Sequence, residues 1–178
     1  MDSNKSNSKA SKLAGKGAGK ETSTMTAKVI IKPPSLPAKS TAPLSNLDLA
    51  DDTEYGDFIL SGQSLIGQSF ERVTIERSLF KLVRCSALNL AKPKLVDIRF
   101  ETCDLSNSEF EDGKFTRVEM TDCKITGMHV TNADISDLLL QSCTGELVQF
   151  HDSVFKRVVF QGCQLRGADF RYCNLEGS

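Results

Sequence analysis

Hydrophobic residues recur at every fifth position over most of the chain. Counting in steps of five from Leu60 to Leu175 gives 24 positions, of which 23 are apolar and only Gly145 is not. No insertion or deletion interrupts this register, and nine of the ten phenylalanines lie on it. A period of five fits neither the 3.6-residue period of an α-helix nor the two-residue alternation of a strand. The pattern therefore predicts a repeat architecture, whose units stack to bury a continuous core.

The five-residue period predicts a chain that turns a corner after each unit and points one large side chain inward from each side. Four such sides close a square coil, so equivalent residues lie 20 positions apart. The residue two positions before each centre also points inward, near a corner, where a smaller side chain fits. Six coils stacked at the β-sheet spacing would form a rod roughly 29 Å long.

Several five-residue segments match a known repeat. Ala168–Tyr172, Cys173–Gly177 and Cys103–Asn107 resemble the pentapeptide-repeat consensus of a small residue, Asp or Asn, Leu or Phe, and two variable residues. The resemblance implies the all-β fold of that family, a right-handed quadrilateral β-helix. Bulky or rigid residues replace the usual small one at several inner positions, where we expect distorted or widened coils. Among these residues are Val73, Leu88, Pro93, Met128 and Leu138.

The N-terminal quarter differs in composition from the repeat. Residues 1–46 are rich in Ser, Thr, Lys, Ala, Gly and Pro and, apart from Val29–Ile31, offer little apolar surface to bury. We expect them to be a disordered tail and linker, because folding would not offset the lost chain entropy. Residues 47–59 are predicted to cap the first coil, and residues 60–178 to form the β-helix.

The two ends of such a rod expose backbone donors and acceptors. At the front, Tyr55 and Phe58 are the expected apolar anchors of the cap. At the back the repeat stays in register to Leu175, and the sequence stops at Ser178 with no apolar tail to cover the last coil. This predicts either a longer natural chain or self-association through the uncapped C-terminal coil.

The charge is distributed unevenly. Residues 1–50 carry eight Lys and Arg against three Asp and Glu, whereas residues 51–178 carry fourteen against twenty. A basic tail is therefore joined to an acidic body, although the net charge is only −1. The start of the chain is polar and lysine-rich, unlike a secretory signal, and no apolar stretch is long enough to span a membrane. We expect no membrane partner and a cytoplasmic location.

Five of the six cysteines fall on inner positions, and four of these are 20 residues apart, so they should stack along one side. A disulfide ladder and a metal site are the functional interpretations. Parallel inward side chains give poor disulfide geometry and do not converge on a metal. We favour buried free thiols in a reducing compartment. The stacked cysteines are Cys103, Cys123, Cys143 and Cys163, and the fifth is Cys173.

Two of the centres are weak. Gly145 and Cys85 lie on the same predicted side, where Leu or Phe is usual. One interpretation is a niche for a ligand. The favoured one is a local dent offset by Leu147 and Val148, because a cavity in a core is costly.

No arrangement of residues in the sequence indicates catalysis. His129 and His151 fall on solvent-facing positions without a recurring carboxylate partner, and the two acidic patches lack the desolvated cleft that shifts a pKa. We therefore predict no enzyme, with no catalytic, cofactor-binding or metal-binding residues, no cofactor and no small-molecule substrate. The patches comprise Asp51, Asp52, Glu54 and Asp57, and Glu109, Glu111 and Asp112.

The function that these features favour is a protein-binding module or scaffold, whose partner is another protein of unknown identity. The family resemblance implies an alternative, because quinolone-resistance members mimic DNA and bind type II topoisomerases. A third hypothesis places the activity in the tail, as an export or targeting segment.

One outward row bears on the DNA-mimic alternative. It reads Arg77, Asp97, Arg117, Asp137 and Arg157, alternating in sign at every coil. Such alternation predicts cross-coil ion pairs rather than a phosphate-like stripe. We expect these pairs to be exposed, so that each contributes only about 0.2–1 kcal/mol and the row helps to fix the coil register rather than supplying much stability.

Overall fold

The computed structural model describes residues 29–37 and 47–176. Within these ranges the chain forms twelve β-strands and no helix, in agreement with the predicted all-β class. The strands are β1 (Glu54–Gly56), β2 (Ile59–Ser61), β3 (Ser69–Glu71), β4 (Thr74–Lys81), β5 (Asn89–Ala91), β6 (Lys94–Glu101), β7 (Glu109–Glu111), β8 (Lys114–Thr121), β9 (His129–Thr131), β10 (Asp134–Gln141), β11 (Val154–Gln161) and β12 (Asn174–Glu176).

Each strand pairs in parallel with a strand one coil away, and the paired residues are 20 positions apart. The longer ladder runs through β4, β6, β8, β10 and β11, so that Ile75, for example, pairs with Leu95. A shorter ladder joins β3, β5, β7 and β9. The predicted β-solenoid of about six turns is thereby confirmed.

The sides of a coil differ in their backbone. Eight-residue strands such as β4 cover two sides and turn a corner in the middle, at Arg77. The next side carries single bridges, such as Arg84 with Asp104, and the remaining side carries three-residue strands such as β3. Hydrogen bonds between successive coils continue through the turns, so every side is tied to its neighbours.

The corners share one backbone conformation. Every fifth residue from Asp52 to Tyr172 has a positive φ, between +44° and +71°. This left-handed region is favourable for Gly and tolerated by Asn and Asp, but it costs other residues conformational energy. The five-residue period thus reflects four residues of extended or turn backbone and one left-handed corner.

The interior is filled as the repeat predicts. Most centres are buried, and the rings of Phe80 and Phe100 stack in successive coils with centroids 4.9 Å apart. The coils with bulky inner residues keep the same pairing register. Two internal cavities of about 10 Å³ each lie beside them, one lined by Leu88 and the other by Met128 and Leu138.

The first ladder begins inside the segment predicted as a cap. Glu54–Gly56 and Ile59–Ser61 already pair with β4 in the 20-residue register. Leu49 and Phe58 are buried, and Leu49 lines the cavity in the first coils. Most of the tail predicted over residues 1–46 lies outside the described residues. Residues 29–37, which belong to it, lie against the rod.

Candidate functional site

The alternating row forms the predicted cross-coil ion pairs. Each arginine reaches back to the aspartate of the preceding coil through two parallel hydrogen bonds. Arg117 donates to both carboxylate oxygens of Asp97 at 2.6 and 2.7 Å, and Arg157 donates to those of Asp137 at 2.7 and 2.6 Å. All four residues are corner residues with positive φ. We call the outer surface formed by Asp97 and Asp137, with the half-buried side chains of Val96 and Leu139 beside them, the corner groove.

The expectation that these pairs are exposed is wrong for the two aspartates of the groove. Asp97 is 6% exposed and Asp137 is 3% exposed. The Arg117 guanidinium, together with the Ser35 N–H, holds the pKa of Asp97 below its usual range. Arg157 and the Lys32 N–H do the same for the pKa of Asp137. Both carboxylates therefore stay ionised at neutral pH and remain strong acceptors.

A segment from the predicted tail accounts for this burial. The backbone N–H of Ser35 donates to Asp97 at 2.9 Å, and that of Lys32 donates to Asp137 at 3.2 Å. Residues 29–37 have neither helix nor strand. They run against the direction in which the coils advance, because Lys32 contacts the later coil and Ser35 the earlier one. We call this stretch the docked segment.

The spacing of the two hydrogen bonds matches the repeat of the rod. Asp97 and Asp137 are two coils apart, which is about 9.6 Å at the spacing of neighbouring strands. Lys32 and Ser35 are three residues apart, and three residues of polyproline II backbone span about 9.3 Å. An extended peptide can thus meet an equivalent acceptor at every third residue.

The sequence of the docked segment suits this geometry. Pro33 and Pro34 lie between the two donors and have no N–H of their own to leave unpaired. Proline also fixes φ near −65° and biases the residue before it towards extended backbone. Pro34 is buried, and Ile31 and Leu36 are half-buried, so the segment also packs apolar surface on the rod.

Sequence reasoning missed this contact, although it singled out both partners. Val29–Ile31 stood out as an apolar exception in the tail, and the charge row was recognised. The available signal was an apolar, proline-containing stretch without a core of its own, because such a stretch needs another surface to pack on.

The cysteines lie where the repeat predicts, and all six are free thiols. Cys103, Cys123 and Cys143 are buried, and Cys163 is half-buried. The Cys103 thiol donates to the carbonyl of Phe80 at 3.3 Å. Among the described residues, no group of His, Cys, Asp or Glu is placed to hold a metal ion.

No ligand niche lies at Gly145. A Cβ placed there would come within 2.9 Å of side-chain atoms of Ile125, Leu165 and Val148, so neighbouring apolar groups already fill the space. The dent is offset by Val148 but not by Leu147, which points into solvent at a corner. Cys85, the other weak centre, is buried, and burial raises the pKa of its thiol.

One histidine has a carboxylate neighbour that the sequence did not reveal. Nε2 of His151 lies 3.0 Å from a carboxylate oxygen of Asp169, which also receives hydrogen bonds from Arg171. These contacts, chiefly that of Arg171, lower the pKa of Asp169. In the predicted acidic patches, Asp57 pairs with Arg77, and Asp52 pairs with the arginine at position 72.

At the last described coil, Leu175 is 57% exposed. Self-association through this end stays a prediction. In the described parts of the chain, no helix has the length and apolar character needed to cross a membrane.

Residues 94–170 match the family model described as a pentapeptide repeat region. The same 20-residue ladder extends on both sides of this stretch, from Glu54 to Glu176. Residues 94–170 are therefore a pentapeptide-repeat region, as the sequence predicted, and the ladder continues the same architecture on both sides of it.

Two solved structures are similar to this chain at low identity. QnrB1, a plasmid-mediated fluoroquinolone resistance protein, is 17% identical over 69% of this chain and 84% of its own, with a TM-score of 0.30. HetL, a pentapeptide repeat protein involved in heterocyst differentiation regulation in the cyanobacterium Nostoc sp., is 9% identical over 70% and 87%, with a TM-score of 0.32. Likenesses this weak carry no argument about function. No curated protein sequence matches the chain.

Proposed function

We propose that the chain is a non-enzymatic protein-binding module, which holds a partner protein against the outer surface of its β-solenoid. The docked segment is the observation that supports this proposal. An extended stretch of polypeptide lies along one corner of the rod, held through its backbone by Asp97 and Asp137. Because continuous ladders fix the coils, the surface is preorganised and a partner binds with little loss of entropy on the rod's side.

The cytoplasm is the compartment that we propose for this activity. Six free thiols suit a reducing environment, since an oxidising one would select for disulfides or against cysteine. Fractionation of the source cells, with detection of the tagged full chain, tests this placement.

A DNA topoisomerase bound through DNA mimicry is the alternative partner. The excess of acidic over basic residues in residues 51–178 favours it. Mimicry needs a row of carboxylates that present unpaired charge, as phosphates do. In the corner groove, Asp97 and Asp137 are buried and neutralised by arginines, so this row does not supply such a stripe.

Affinity capture with the full chain, followed by reconstitution, separates these two partners. The lysate is treated with nuclease first, so that a protein retained through bound DNA is lost. A nuclease-resistant partner that also binds the full chain as a purified protein in calorimetry is the expected result. Recovery of a topoisomerase, competed by duplex DNA, would support the alternative. If no purified protein binds the full chain, the protein-binding function is wrong.

A further inference from the structure

The corner groove combines two kinds of recognition chemistry. Its acceptors are the carboxylates of Asp97 and Asp137, two coils apart, each fixed in orientation by an arginine. Beside them lie the half-buried, outward-facing side chains of Val96 and Leu139. A ligand of this groove must therefore offer donors at a spacing of two coils together with apolar groups.

The docked segment is held mainly through features that many peptides share. Both hydrogen bonds come from backbone N–H groups, of Lys32 and Ser35, so the bonds do not depend on either side chain. What they require is an extended backbone with donors three residues apart. Two intervening prolines meet that requirement, because they stiffen the backbone and add no unpaired donor.

We propose that the corner groove is a binding site for an extended peptide of a partner protein, in which two prolines separate residues that retain their N–H groups. Residues 29–37 are the resident occupant, and the partner peptide displaces them. This inference rests on the proposed protein-binding function and names the class of partner.

The link to the rod determines how the site behaves. Only residues 38–46 join Pro37 to Leu47, so the docked segment is present at a local concentration on the order of millimolar. A free peptide with the same contacts must compete against that concentration. The intact chain should therefore bind such a peptide weakly, and a chain whose own segment is weakened should bind it more tightly.

Two substitutions in the full chain weaken the docked segment without touching the rod. Lys32→Pro and Ser35→Pro each remove one backbone donor and keep the backbone extended. The probe is a fluorescent nine-residue peptide with the sequence of residues 29–37. Fluorescence anisotropy should show roughly tenfold or tighter binding to the double variant than to the unsubstituted chain, because a hydrogen bond to a charged group changes affinity by at least that factor. Ile30→Pro is the matched control and should leave probe binding unchanged, since Ile30 is 77% exposed.

A competition measurement on the unsubstituted chain does not depend on the folding of any variant. A competitor peptide with proline at the positions of Lys32 and Ser35 should displace the probe at least roughly tenfold less well than the natural peptide, because it lacks both donors.

Asp97→Asn with Asp137→Asn, added to the double variant, should weaken probe binding by a similar factor.

Three results would overturn the inference. One is equal binding of the probe to the double variant and the unsubstituted chain, and another is equal competition by the two peptides. The third is a chain that sediments as a dimer and becomes a monomer on Lys32→Pro with Ser35→Pro, because a second copy would then be the occupant. If capture yields a partner while the probe does not bind, only this inference fails and the protein-binding function stands.

Discussion

At the scale of single residues, most of the small polar groups inside the rod share one hydrogen bond, with Ser78, which donates to the carbonyl of Glu76, as an exception. The Cys103 thiol donates to the carbonyl of Phe80, and the Ser108 hydroxyl donates to that of Cys85, in each case 23 positions earlier. The acceptor is the carbonyl of the central residue on an adjacent side of the preceding coil. This buried carbonyl thus gains a hydrogen-bond donor. Cysteine suits this position because it is small, largely apolar and still a weak donor. The same relation holds for Cys123, Cys143, Cys163, Ser153 and Cys173.

Burial should shield the thiols of Cys85, Cys103, Cys123 and Cys143 from reagents in the folded chain. Burial raises the pKa of the Cys163 and Cys173 thiols, which are only half-buried, and thiolate is the reactive form. We expect iodoacetamide at neutral pH to leave the four buried cysteines unmodified and to react slowly with these two. Mass spectrometry after alkylation in urea, the control, should show six modified cysteines. Fewer than six in urea would indicate a disulfide.

The left-handed corners make a second prediction for single residues. Leu82 is 54% exposed and has a φ of 55°, so its side chain gains little burial while its backbone is strained. Leu82→Gly should raise the free energy of unfolding by up to about 1 kcal/mol. Gly62→Ala, one coil earlier in the same row, should lower it, since Gly62 has a φ of 66° and open space around it. Urea titrations that show the opposite order would contradict the assigned strain.

At the scale of the elements, the sequence predicts the sides better than the corners. The central residues from Leu60 to Leu175 indicate the length of each side, because apolar residues recur there at every fifth position and a polar residue would show as a break in the series. The corner positions hold residues as different as Asp97, Arg117 and Leu147, since no side chain is packed inside there. An enrichment in Gly, Asn and Asp at every fifth position was the available signal for their positive φ.

The docked segment could not be predicted from the repeat. Nothing periodic in the sequence relates Lys32 to an aspartate 105 residues further along, or Ser35 to one 62 residues further along. The contact depends on a match between the rise of two coils and the length of three extended residues. This match is a property of the three-dimensional structure and leaves no pattern in the sequence.

The ion pairs of the groove predict a pH-dependent contribution to stability. An Asp with a lowered folded-state pKa stabilises the fold above its unfolded value of about 3.9, and this contribution disappears as the pH falls through the folded-state pKa. Asp97→Asn with Asp137→Asn should therefore cost about 2–4 kcal/mol at pH 7 and progressively less below about pH 4. Urea unfolding across this range measures the difference. Asp57→Asn, in an exposed pair, is the control and should cost less. A cost that is constant with pH would contradict the role of the charges.

At the scale of the whole molecule, the rod is close to one-dimensional. Each coil contacts the coil before it and the coil after it, so stability is approximately a sum over coils and their interfaces. The charge row adds a period of two coils to this sum, since each arginine pairs with the aspartate one coil earlier.

Internal duplications should reveal this two-coil period. Repeating residues 98–137 adds two coils and keeps every arginine after an aspartate, so the midpoint of urea unfolding should rise. Repeating residues 98–117 adds one coil and places two copies of Arg117 next to each other. Because adjacent like charges destabilise, this shorter duplication should raise the midpoint by less than half as much. Equal gains per coil would show that the alternation does not contribute.

The docked segment and the rod share a common repeat distance along the corner. Two coils and three residues coincide at about 9.5 Å, whereas one coil corresponds to one and a half residues. A peptide on this corner therefore cannot slip by a single coil, because the slip would set a donor against an arginine and turn the next side chain to the wrong side. The peptide can shift along the corner only by three residues at a time, that is by two coils. The repeating unit that this surface recognises is therefore a tripeptide.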